Sequence, residues 1–176
     1  EIANSSQELM IRLLNNASEL GVTDVVIPCV DQSTLGGKSA VNRFVKTLLP
    51  IVVIAEKHGI NLSLETDLAP QLFIKLLERF NSNRVTVNYD IGNSAALGYD
   101  LVEELEHYGK QITDIHIKDR VLGGGPVELG KGNADFYEFF NKLKEFDYQG
   151  PFIMQAYRDE EGVEIFKKQL DWVKPY

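Results

Sequence analysis

Residues 84–118 read RVTVNYDIGNSAALGYDLVEELEHYGKQITDIHIK, and the order of patterns in this stretch decides the fold. Arg84–Asp90 is short, apolar and β-branched, the composition of a buried strand. The loop IGNSAALG follows, then a helical pattern over about 100–108, then a second buried strand at Ile112–Lys118. Each strand carries an ionisable residue at or near its C-terminal end, Asp90 in the first and His116 in the second. With no hairpin dipeptide between them, the two strands are expected to run parallel across a helical crossover.

The alternation continues in both directions. Upstream, Gln7–Leu20 is periodic in Leu9, Met10, Leu13, Leu14 and Leu20, and Gly21 stops it. A strand at Asp24–Val30 precedes a long helix over Ser39–His58, where Pro50 predicts a kink or a short break. A strand at Asn61–Thr66 then leads to a helix over 70–80, with Pro70 near its start. Downstream lie a short strand at Val127–Leu129, a helix over 135–146 starting near Asn133 or Asp135, a strand at Pro151–Tyr157 and a helix at Val163–Val173.

Two α/β layouts fit a parallel sheet wrapped by helices. An open doubly wound sheet gathers its ligands at one switch point, usually behind a glycine fingerprint. A closed (β/α)8 TIM barrel draws functional residues from many strand ends around one mouth. Asp31, Glu65, Asp90, His116 and Gln155 stand at or near the ends of separate strands, so the barrel is favoured. Six strands are visible where eight are needed, and the shortfall from ~250 residues matches about two βα units of ~30 residues. Residues 1–176 are therefore read as a single domain, the C-terminal three-quarters of a TIM barrel without its first two strands. Strand 24–30 would then offer an unpaired edge, so the chain is expected to dimerise through it as a homo-oligomer, to be poorly stable, or to carry further N-terminal residues.

Composition excludes several function classes. The 176 residues are 44% hydrophobic, enough for a core, and 26 acidic residues against 18 basic give a net charge of −8 and a pI near 4.9. That balance argues against a nucleic-acid partner. No run of about 18 apolar residues is present, which argues against a membrane span, and no leader pattern opens the chain. Cys29 is the single cysteine, which rules out internal disulfides and thiolate zinc cages and suits a reducing, cytoplasmic setting.

Glu65, Asp90 and His116 each interrupt or end an apolar strand, and Gln155 sits within FIMQA. A carboxylate on a buried strand is costly without compensation. A divalent cation facing all four supplies it: two anionic oxygens offset its charge while imidazole and amide add neutral donors. One nitrogen among several oxygens suits Mn²⁺, Mg²⁺ or Co²⁺ better than tetrahedral Zn²⁺. The competing reading has each residue capping a helix or pairing with a rim lysine; four such residues in corresponding positions favour the shared ion. His58 and His107 lie at helix C-termini, where they complement the macrodipole.

Lys118 and Arg158 follow His116 and Gln155 closely enough to meet an anionic group of a substrate. Gly123-Gly124-Gly125 and Gly130-Lys131-Gly132 offer backbone N–H groups to a phosphate or simply make tight turns, the second reading being preferred. Asp31 and Ser33 either bond sugar hydroxyls or form an Asx-type turn. Cys29 reads as a small buried filler rather than a nucleophile.

The segments LSLETD, NYDIGNSAALGYD, IHIKDR, VELGKGNADF and FIMQAYRD, in this order over about residues 20–175, resemble the xylose-isomerase-like TIM-barrel family. Its members include sugar and sugar-phosphate isomerases and epimerases and, more distantly, endonuclease IV. The resemblance implies one divalent metal held by a glutamate, an aspartate, a histidine and a final glutamate, the two glutamates moving the substrate proton. Glu65, Asp90 and His116 match the first three, while Gln155 fills the place of the last and Asn93 stands where many members have a second histidine. Gln155 can offer an oxygen but accepts no proton. Isomerisation through an enediolate with Glu65 as the single base is thus favoured over two-base epimerisation, unless the missing strands or Lys118 supply the second group. The implied substrate is a small sugar or sugar phosphate, with Asp31, Asn93, Lys118 and Arg158 as its binding residues. The alternatives are a degenerate barrel that binds a sugar or a protein partner without turnover and, last, a nuclease, which would need more histidines.

Overall fold

The computed structural model describes residues 2–155 and 162–176. The chain forms two compact units, Glu1–Val87 and Asn88–Tyr176, and strand β3 (Val85–Asp90) runs across the boundary.

In the first unit, α1 (Ile2–Glu19), β1 (Asp24–Cys29), α2 (Gly37–His58), β2 (Asn61–Thr66) and α3 (Pro70–Glu78) alternate as the periodicity predicts. β1 and β2 pair in parallel from Asp24 opposite Asn61 to Cys29 opposite Thr66, which sets Pro28 opposite Glu65. β2 and the start of β3 pair in parallel from Leu62 opposite Val85 to Leu64 opposite Val87. Leu62, Leu64 and Val87 are fully buried, as are Leu14, Ile51 and Leu76 from the helices. Each such aliphatic side chain contributes about 1.5–3 kcal/mol on leaving water.

Of the kink or short break expected at Pro50, the break does not occur, for α2 is one helix of 22 residues through that position. Proline's φ is helical and Pro50 is exposed, so the residue removes one hydrogen bond without ending the run. Gly59 ends the helix at φ 70°, donating to the Ala55 and Glu56 carbonyls in the left-handed conformation that glycine adopts freely.

The second unit contains the rest of β3, then α4 (Ile91–Leu97), α5 (Leu101–Tyr108), β4 (Ile112–Ile117), β5 (Asp119–Arg120), β6 (Pro126–Val127), α6 (Phe136–Leu143), β7 (Phe152–Met154) and α7 (Val163–Val173). β4 and β7 pair in parallel, Ile115 opposite Phe152 and Ile117 opposite Met154. Ile115 and Ile117 are buried, and Tyr89 stacks on Phe139 with centroids 5.3 Å apart.

Two expectations fail in this unit. The segment IGNSAALG is helix α4 rather than a loop, because Asp90 caps it and Gly98 closes it at φ 72°. The short strand expected at 127–129 is β6, which pairs antiparallel with β5 in a hairpin around 121–125, outside the main sheet. Among the described residues the main sheet therefore has five strands, in the order β1-β2-β3-β4-β7. The expected strand Pro151–Tyr157 appears as Phe152–Met154, and its last two residues lie outside the described ones. No helix among the described residues is long and apolar enough to cross a membrane.

Candidate functional site

Asp90 ends β3 and divides its two carboxylate oxygens. Oδ1 accepts the Asn93 backbone N–H at 2.8 Å and so caps α4. Oδ2 lies 3.4 Å from Lys118 Nζ and 3.8 Å from His116 Nδ1. The Asp90 side chain is 1% exposed, so its charge is compensated by neighbours rather than by solvent.

β4 sets the next two residues by strand alternation, which puts His116 and Lys118 on one face while Ile115 and Ile117 turn into the core. His116 is buried, and its Nδ1 lies 3.2 Å from Asn88 Nδ2 on β3. The β4–β7 register continues past β7, since the Gln155 N–H donates to the Ile117 carbonyl at 2.9 Å. Gln155 Oε1 accordingly comes to 3.4 Å from Lys118 Nζ. Lys118 thus spans Asp90 and Gln155, two of the residues expected to share a cation.

Glu65 stands near the end of β2 and is buried in its unit. It raises the Cys29 thiol pKa together with burial, the largest cause, and Asp67, to about 12. Cys29 is buried, in keeping with a filler and far from the thiolate that nucleophilic chemistry requires. Within the second unit Asp90 Oδ2 and His116 Nδ1 present a carboxylate oxygen and an imidazole nitrogen 3.8 Å apart, and Glu65 is the acidic residue near the end of β2 in the first unit. The donor set is chemically suited to a dication, with two carboxylates against a double positive charge and an imidazole as neutral donor.

The other expected substrate residues are placed differently. Asn93 is buried on α4 and accepts from Arg120 Nη1 at 2.8 Å. Asp31 is exposed in the 310 turn after β1, at φ 51°, a conformation uncommon for a residue with a Cβ. Arg158 lies outside the described residues. The glycine loops serve as turns. Gly130 and Gly132 donate to Asp119 Oδ2 at 2.9 and 2.8 Å, and Gly123 and Gly124 donate to the Ala96 and Val121 carbonyls.

Arg120 was not foreseen. Its guanidinium bonds Asn93 and, through Nε and Nη2, the Gly124 carbonyl, tying α4 to the hairpin. The signal was present in the alternation His116, Lys118, Arg120, which places a third cation two residues beyond the second.

The family model for xylose isomerase-like TIM barrels matches residues 1–176. The chain belongs to that family. Among curated relatives of this xylose isomerase-like chain, an uncharacterised protein of Methanocaldococcus jannaschii is 30% identical over 141 residues, 72% of this chain and 48% of that protein. L-ribulose-5-phosphate 3-epimerase of Escherichia coli O1:K1 is 33% identical over 98 residues, 54% of this chain and 34% of the enzyme. The chain thus spans about half or less of these relatives. Among solved structures, the IolI protein with a bound zinc atom superimposes with a TM-score of 0.78 at 22% identity, over 96% of this chain and 69% of that one. The TIM-barrel fold read from the strand ends is therefore the fold of this family member.

Proposed function

We propose that this xylose isomerase-like chain carries the active site of a divalent-metal-dependent isomerase or epimerase acting on a small sugar or sugar phosphate. The observation that carries the reading is the buried Asp90 carboxylate at the end of β3, facing the His116 imidazole at 3.8 Å in a chain of this family. The epimerase relative points to the same substrate class.

Glu65, Asp90 and His116 would hold the cation, while the Gln155 amide oxygen faces the Lys118 ammonium. When bound, the cation supplies Lewis acidity at a substrate carbonyl and offsets charge on the enediolate. Glu65 is the base: it removes the proton from the carbon next to the carbonyl and returns it to the former carbonyl carbon on the same face, while the hydroxyl proton passes to the former carbonyl oxygen, which is isomerisation. Gln155 cannot accept a proton, so no second carboxylate stands at its position for a two-face exchange. Lys118 meets the oxygen that gains charge, with the Gln155 amide oxygen as an acceptor within reach of its ammonium. An oxygen-rich donor set favours Mn²⁺, Mg²⁺ or Co²⁺; the zinc in the IolI structure makes Zn²⁺ the informative competitor.

Incubation with ketoses, aldoses and their phosphates in D₂O with Mn²⁺, read by NMR, tests the proposal. The wild-type chain should exchange the C–H next to the carbonyl, and Glu65→Gln should lower that exchange by at least about 100-fold with an unchanged circular dichroism spectrum. Equal exchange in the two proteins removes Glu65 as the base. A second reading, a barrel that binds a sugar or a protein partner without turnover, rests on Gln155 giving its amide oxygen to Lys118; saturable sugar binding with no exchange would establish it.

A further inference from the structure

We propose that Lys118 is the resident counter-ion of Asp90, and that a divalent cation is held at this centre only after the Lys118 ammonium has moved off Asp90 Oδ2 onto Gln155. The inference rests on the metal-centre reading above and concerns how this chain gates that centre.

Three observations carry it. Lys118 Nζ lies 3.4 Å from the Asp90 oxygen that also faces His116, so the ammonium claims the oxygen on which a cation shared with His116 depends. Oδ1 is the poorer substitute, because it already accepts the Asn93 N–H at the start of α4. The ammonium also has an acceptor to retreat to, Gln155 Oε1, at the same 3.4 Å.

The lysine is fitted into its place. A Cβ on Gly92 would come within 2.9 Å of Lys118 Cγ and of the Lys118 carbonyl oxygen, so the glycine at the start of α4 leaves the room that the lysine stem fills. The Lys118 side chain is 20% exposed and Asp90 is 1% exposed, so the pair is screened weakly by solvent and the two positive groups compete directly. An amide at 155 suits the second position: it accepts from an ammonium without adding a charge that would bind the lysine there permanently.

The test is Mn²⁺ binding, by titration calorimetry and by the loss of the free Mn²⁺ electron spin resonance signal, on the wild-type chain, K118M and K118Q. K118M should bind Mn²⁺ roughly ten- to a hundred-fold more tightly, the range expected when one charge-assisted hydrogen bond no longer competes. K118Q keeps a donor to Asp90 without its charge and should fall between. Its signal also serves if K118M is poorly folded. Without metal, both variants should melt below wild type, and added Mn²⁺ should raise their midpoints further than that of wild type. Equal or weaker Mn²⁺ binding in both variants overturns the inference while leaving the metal centre intact. No Mn²⁺ binding in any of the three proteins overturns the metal-centre reading and this inference with it.

Discussion

Asp119 and Gly132 occupy each other's space. The Gly132 N–H donates to Asp119 Oδ2 at 2.8 Å, and a Cβ at position 132 would fall 2.2 Å from Asp119 Oδ1 and 2.5 Å from the Arg120 carbonyl. The same carboxylate accepts from Gly130 and Ala134, so one buried side chain gathers three backbone N–H groups of the 130–134 loop.

From this relationship, Asp119→Ala should be among the most destabilising substitutions in the chain. Three donors lose their acceptor at a cost of roughly 1–3 kcal/mol for each left buried. Gly132→Ala should also destabilise, by about 2 kcal/mol or more, since the added carbon meets both the Asp119 carboxylate, pinned by three N–H groups, and the Arg120 backbone carbonyl. Urea unfolding of both variants measures this; a loss below about 0.5 kcal/mol for either would show that the loop rearranges freely.

Glu104 on α5 makes stability depend on pH with a sign opposite to that of most carboxylates. Burial, partly countered by hydrogen bonds from Ser94, Tyr108 and Tyr89, raises its pKa above the ordinary 4.5. The folded state therefore favours the neutral acid. Its contribution is most favourable below the unfolded value and is lost progressively as pH rises from about 4.5 through the raised folded value. Glu104→Gln cannot ionise, so the stability of wild type relative to this variant should fall with rising pH, by at most ~1.4 kcal/mol per unit, and then level off. Chemical denaturation of both proteins between pH 4 and 9 provides the comparison; a difference independent of pH would place the Glu104 titration at its unfolded position.

Asp90 does two jobs that substitution can separate. Asp90→Asn keeps an oxygen for the Asn93 N–H and removes the anion, whereas Asp90→Ala removes both. The asparagine variant should keep α4 capped, the alanine variant should lose about a further 1 kcal/mol, and neither should take up Mn²⁺. Thermal melts with and without Mn²⁺ read both effects; metal uptake by the alanine variant equal to that of wild type would exclude Asp90 as a ligand.

The strands that hold the site were legible because parallel strands covered by helices are almost continuously apolar. A lone Glu65, Asp90 or His116 stands out in such a run, and β2 spans Asn61–Thr66 as read. Helix α4 was hidden because Asp90 belongs at once to a strand end and a helix cap, and because Gly92 and Asn93 are weak helix formers. The β5–β6 hairpin was hidden because its turn carries Gly123-Gly124-Gly125 instead of a standard two-residue signal. At Pro50 the sequence left a kink or a short break open, and only the break is excluded, since an exposed proline on a well-packed helix removes one bond without ending it. Spacing along the chain also could not reveal that Lys118 reaches two acceptors, because that depends on the level at which β4 and β7 lie beside each other.

The shared duty of Asp90 also limits how this protein can be re-engineered. Any redesign that trades its carboxylate for a softer donor, in order to recruit a different ion, would unmoor the first turn of α4 and with it the glycine that makes room for Lys118. Position 90 is therefore a keystone to be altered last, after the start of that helix has been given another anchor.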